Sequence, residues 1–195
     1  MTDATTNDDD PGAHVAMLAT IPDQLEAAIR EAGAGTSATS ADEWTPTEIV
    51  GHLGDAARYW GARMLRVARE DEPALPYWDE NTMVDLAAYR YRDLDELLRV
   101  FRLTNAGNVA FLRGLPPGAW ERAGMHETRG RITLREIVAT EAGHQQGHVR
   151  QLRTALGLPP DYLGAFEAVS PEDVERHGEY YGASDANTDR ARREG

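Results

Sequence analysis

Two histidines four residues apart, His144 and His148 in the run Glu141-Ala-Gly-His-Gln-Gln-Gly-His148, have the type and spacing that best suit chemistry. On a helix they lie one turn apart on one face, within reach of a single metal ion. At about 100° per residue, Ile137, His144, His148 and Ala155 share a narrow sector flanked by Leu134 and Leu152, so both imidazoles are expected to face the interior. A third histidine, His52, sits beside Ile49 and Leu53 at the edge of another apolar stripe and can also face inward. Three inward histidines from two helices match a facial set of nitrogens that leaves positions open for water or substrate. Such a set suits Zn2+ or Ni2+, with Fe2+ as an alternative, and does not suit Mg2+ or Ca2+. Periodicity alone does not separate this site from ordinary hydrogen-bonded core histidines. Burial weighs in its favour, because clustered imidazoles leave polar nitrogens that need a partner.

Two carboxylates are placed to assist. Glu141 lies one turn before His144, and Asp55 one turn after His52; either could accept an imidazole N–H or take a proton. A solvated flank is the plainer reading of Asp55. Gln145 and Gln151 lie near the pair, and Tyr59 offers a phenol but reads first as core packing. His126 reads as a surface-loop histidine that could fold over the bundle mouth, while His14 and His177 carry no signal. The sequence has no Gly-rich phosphate loop, nucleophile elbow or H-E-x-x-H. It also has no cysteine, so disulfides, thiolate ligands and cysteine nucleophiles are excluded.

Four long helices are expected to position these residues, with no convincing strand. The first runs from about Pro11 to Glu31 on Val15, Leu18, Ile21, Leu25 and Ile29; Pro22 should kink it or restart it with Thr20 as cap. Gly33 to Ser40 reads as a flexible connector. The second opens at Trp44-Thr45-Pro46-Thr47-Glu48-Ile49, with cap, N1 proline, capping box and hydrophobic staple, and continues to about Glu70. A proline-containing loop to Glu80 follows. The third helix is expected over about Met83 to Arg113, then a connector to about Arg131. The fourth opens on Ile132-Thr133-Leu134-Arg135-Glu136-Ile137, the same grammar, and stops near Gly157 before Pro159-Pro160. This implies an all-α bundle as a single domain over 12–182. Residues 160–181 are expected to pack across it as a strap, and 1–11 and 183–195 to be disordered tails.

The 195 residues carry 20 basic and 33 acidic side chains, a formal charge of −13, and every basic residue is Arg. That surface disfavours nucleic acid and anionic membranes as partners. The acidic N-terminus lacks the order of a signal peptide, and no apolar run approaches a membrane span, so a soluble, cytoplasmic protein is the default expectation.

The segment Trp44-Thr45-Pro46 through Gly51-His52-Leu53, with Arg131-Ile132-Thr133-Leu134 and His144-x-x-x-His148-x-x-Gln151-Leu152, resembles the DinB-like (DinB/YfiT) superfamily. Further matches are Pro22 and the loop His126 followed by Gly130. The resemblance covers about 14–157. It implies a four-helix bundle with long crossovers and one Ni2+ or Zn2+ ion held by His52, His144 and His148. It also implies relatives that are often dimers, with thiol-dependent S-transferases using bacillithiol or mycothiol, and maleylpyruvate isomerases, among them. Many relatives carry Asp or Asn directly after the first histidine of the pair, where this chain has Gln145. The resulting expectation is a metal- and thiol-dependent transferase acting on a small molecule. A metal-dependent hydrolase and a non-catalytic metal-binding or stress-response module are the alternatives.

Overall fold

The computed structural model describes residues 10–33 and 43–159. Its frame is four long helices: α1 (Pro11–Ala32), α2 (Pro46–Arg69), α4 (Leu94–Arg113) and α5 (Leu134–Ala155), with a short α3 (Glu80–Ala87) in the crossover between α2 and α4. α1 and α2 each pack on α4 and α5 rather than on each other, so the two pairs occupy opposite diagonals of a four-helix bundle. The strap proposed for 160–181, the connector beyond Gly33 and both tails, apart from Asp10 and Pro11, lie outside the described residues.

The helix starts follow from local chemistry. Thr45 accepts from the Glu48 N–H while the Glu48 carboxylate accepts from the Thr45 N–H, and Thr133 and Glu136 repeat this reciprocal pair at the start of α5. Glu48 is nearly buried and also takes Arg90 from the crossover, at 3.3 Å. Burial alone would push its carboxyl up, but the Thr45 and Arg90 hydrogen bonds outweigh that and hold it below the usual carboxylate value of 4.5. A depressed pKa stabilises the fold above the unfolded-state value and is lost as pH falls through the folded one. Glu48→Gln is therefore expected to cost roughly 1–2 kcal/mol at neutral pH in urea titrations. The gap from the parent should close below the ordinary carboxylate range; a cost that persists at low pH would assign the effect to shape instead of charge.

Three expectations need correction. Pro22 does not restart α1, whose helix runs from Pro11 to Ala32 through it. Proline lacks the N–H that would bond the carbonyl four residues back. That carbonyl, of Leu18, instead accepts the Asn105 side-chain amide from α4 at 2.7 Å. Thr20, proposed as a cap, simply donates its hydroxyl to Met17 O. The expected helix over 83–113 is two helices. Ala88 is left-handed (φ 52°), a 3₁₀ turn covers Tyr89–Tyr91, and Asp93 caps a new start by accepting from the Glu96 N–H. Finally, strands are present. β1 (Ala74–Leu75) pairs parallel with β2 (Ala123–His126), which pairs antiparallel with β3 (Gly130–Thr133). Both segments read as irregular connectors because they are too short to show a two-residue alternation.

Two apolar clusters fill the bundle. One gathers Ile21, Leu25, Ile49, Leu53, Phe101, Val149 and Leu152; the other gathers Leu18, Ala56, Trp60, Met64, Val109, Leu112, Ile137, Val138 and Ala142. Along α4 the boundary between them falls at Asn105, and along α5 at Gln145, both buried. Asn105, Gln145 and Glu141, joined by hydrogen bonds, thus form a polar layer across the middle of the bundle, and Glu141 links it to the histidines.

Candidate metal centre

α2 supplies His52 and α5 supplies His144 and His148. One nitrogen from each lies within 4.8 Å of the others. His144 Nε2 is 3.1 Å from His52 Nε2 and 3.0 Å from His148 Nε2. His52 is fully buried and His148 nearly so.

The second ring nitrogens decide what the first can do. His148 Nδ1 lies 2.7 Å from Gln151 Oε1, an acceptor, so Nδ1 carries the proton and Nε2 keeps its lone pair. His144 Nδ1 faces the buried Glu141 carboxylate at 3.4 Å, within ion-pair distance though not aligned as a closed hydrogen bond. It too is a donor, which leaves His144 Nε2 as an acceptor. Two lone pairs 3.0 Å apart repel each other unless something positive lies between them. Burial lowers all three pKa values. For His52, which sits well below the usual range, and for His148, held at about 3, the neighbouring histidines add to that effect. For His144, the close Glu141 carboxylate, helped by Glu80, outweighs burial and raises it. A proton on His144 Nε2 can point at only one of its two neighbours at a time, whereas a metal ion satisfies all three nitrogens together. Two nitrogens at right angles on one ion with bonds of ~2.1 Å lie ~3.0 Å apart, so the observed spacing fits a facial set on a divalent transition metal.

Glu141 is held from behind. Gln145 Nε2 donates to Glu141 Oε1 at 2.6 Å and to Asn105 Oδ1 at 3.3 Å, and Asn105 in turn serves the Leu18 carbonyl freed by Pro22. Gln145 therefore acts here as a neutral donor that fixes the carboxylate behind His144. Asp55 lies elsewhere: one oxygen accepts the Tyr89 hydroxyl and the other the Arg58 guanidinium at 2.7 Å.

Aromatic rings wall the centre. Trp44 stacks on His148 (5.9 Å, 12°) and Trp78 on His52 (5.8 Å, 6°). Trp78 rests on Tyr59, whose hydroxyl bonds Pro76 O at 2.5 Å; the Arg63 guanidinium lies 4.1 Å over the Tyr59 ring and also reaches Pro76 O. Tyr59 thus braces the crossover loop, beyond simple packing. His126, expected on the surface, is buried on β2, where its Nδ1 accepts from the Thr128 and Arg129 N–H groups and closes the β2–β3 turn. Two residues near the centre were not singled out from the sequence: Trp78, and Glu80, whose Oε2 lies 3.8 Å from His52 Nε2. Their one signal was a bulky aromatic beside acids, Tyr77-Trp78-Asp79-Glu80, in a segment otherwise read as a linker.

The family model described as the DinB superfamily matches residues 13–152. Among solved structures, the chain is similar to YfiT from Bacillus subtilis, described as a probable metal-dependent hydrolase with an unusual four-helix bundle topology. The TM-score is 0.65 at 20% identity, over 82% of this chain and 94% of that one. No curated protein matches the chain. No helix among the described residues is long and apolar enough to cross a membrane.

Proposed function

The chain belongs to the DinB superfamily, and on that footing we propose that it is a divalent-metal-dependent enzyme whose ion, Ni2+ or Zn2+, is held by His52, His144 and His148. The observation that carries this reading is the convergence of their Nε2 atoms at 3.0 and 3.1 Å with the outer nitrogens of His144 and His148 turned to acceptors. A divalent ion there supplies Lewis acidity that lowers the pKa of a thiol or water brought to it. The chain's own residues do the rest. Glu141 and Gln151 orient the imidazoles, and Trp44 and Trp78 keep solvent from two sides.

Our first choice of reaction is transfer of a small thiol to an electrophile, with the low-molecular-weight thiol as cosubstrate. Hydrolysis is the second, favoured by the description of YfiT. The two separate in one experiment. The full chain, loaded with Ni2+ or Zn2+, is incubated with a panel of small electrophiles and esters, with and without a low-molecular-weight thiol. Consumption that requires the thiol supports transfer, and consumption in water alone supports hydrolysis. Metal bound without turnover in either arm would leave a non-catalytic metal-binding module.

A further inference from the structure

Glu80 is the first residue of α3, placed there by Asp79, which caps the helix by accepting from the Thr82 N–H. Among the described residues its close polar partner is His52 Nε2, at 3.8 Å, and no arginine is paired with it, in contrast to Glu48, Glu70 or Glu72. The carboxylate therefore faces the point where the imidazole nitrogens of His52, His144 and His148 converge, with no arginine beside it. Glu141 stands on the far side of His144. With the imidazoles neutral, as ligands to a metal must be, the two carboxylates would carry two negative charges in a largely buried site, the complement of one divalent cation. The side chain is about one-third exposed (36%), so rotation can bring its oxygen the short distance to the point where the imidazoles converge.

We propose that Glu80 is a fourth ligand, supplied by the α2–α4 crossover, which binds the same ion as His52, His144 and His148. The proposal rests on the metal reading above. Ligation fastens α3, and with it the loop that carries Trp78, to the bundle when metal is present. It also makes the donor set three nitrogens and one oxygen.

The test uses Ni2+ and Co2+ alone as probes on the full chain. Ni2+ affinity is measured by competition with a chelator for the parent, for Glu80→Gln and for Glu72→Gln. The last removes the same charge from a surface pair with Arg131. Glu80→Gln is expected to weaken Ni2+ binding by roughly 10–100-fold and to change the visible absorption of bound Co2+ at saturation, while Glu72→Gln does neither. An unchanged affinity, or an unchanged Co2+ spectrum, overturns the assignment of Glu80 as a ligand. Should Glu80→Gln misfold, Glu80→Asp, whose carboxylate falls short, is expected to move both readouts in the same direction. A parent chain that binds neither ion would bring down the metal reading itself, and this proposal with it.

Discussion

A variant carrying both His144→Ala and His148→Ala is expected to take up no Ni2+ or Zn2+, whereas the parent titrates to about one ion per chain. The reason lies in how the three nitrogens share the work. His52 alone offers one imidazole, and removing the α5 pair leaves two carboxylates that cannot by themselves hold a transition metal in competition with water. Thermal unfolding gives a second readout. An ion that binds only the folded chain stabilises it by about 2.7 kcal/mol at a hundredfold excess over its Kd, so metal should raise the parent's Tm and leave the variant's unchanged. The variant is expected to fold, because the apolar clusters on either side of the polar layer remain intact. Uptake of metal by the variant, at the parent's stoichiometry, would show that the ion sits elsewhere; a parent that stays metal-free would reduce the cluster to a set of core histidines.

Much of this arrangement was legible in the sequence, for reasons that differ between elements. The starts of α2 and α5 could be read residue by residue, because a capping box is a local device: Thr45 with Glu48 and Thr133 with Glu136 need nothing from the rest of the chain. The inward facing of His144 and His148 followed from helical period alone. What could not be read depends on contacts between segments distant in sequence. Asn105 looked like one polar residue on a broad helix, and only the folded bundle sets it against the Leu18 carbonyl that Pro22 leaves open. Ala88 carries no sequence sign of its left-handed turn, so the break between α3 and α4 was missed and Glu80 was left in a linker. Trp78 reaches His52 because β1 pairs with β2 and because Tyr59 and Arg63 converge on Pro76 O, and none of these partners is nearby in the chain. The residues that form the centre are thus local in their signal, while those that enclose it are not.

Gly51→Ala should destabilise the fold by about 2–3 kcal/mol, against the usual direction for a glycine inside a helix. Replacing an interior helical glycine by alanine normally gains up to about 1 kcal/mol. Here a Cβ would lie 2.3 Å from Tyr89 Cγ and within 2.6 Å of both neighbouring ring carbons. The ring cannot yield by tenths of an ångström, because its hydroxyl is bonded to Asp55 one turn further along the same helix. It must leave, giving up its packing in the core cluster and its hold on the crossover, and overpacking of this kind costs about 1–3 kcal/mol or more. A double-mutant cycle read by urea unfolding isolates the cause. In a Tyr89→Ala background the obstacle is gone, so Gly51→Ala should there become neutral or stabilising by up to about 1 kcal/mol. Equal destabilisation in both backgrounds would mean that the tyrosine is not what excludes a side chain at this position. The residue next to His52 would then be glycine for some reason other than this contact. If the sign does reverse, close approach of the crossover to α2 is what requires glycine here, and that same approach carries Glu80 and Trp78 over the three histidines.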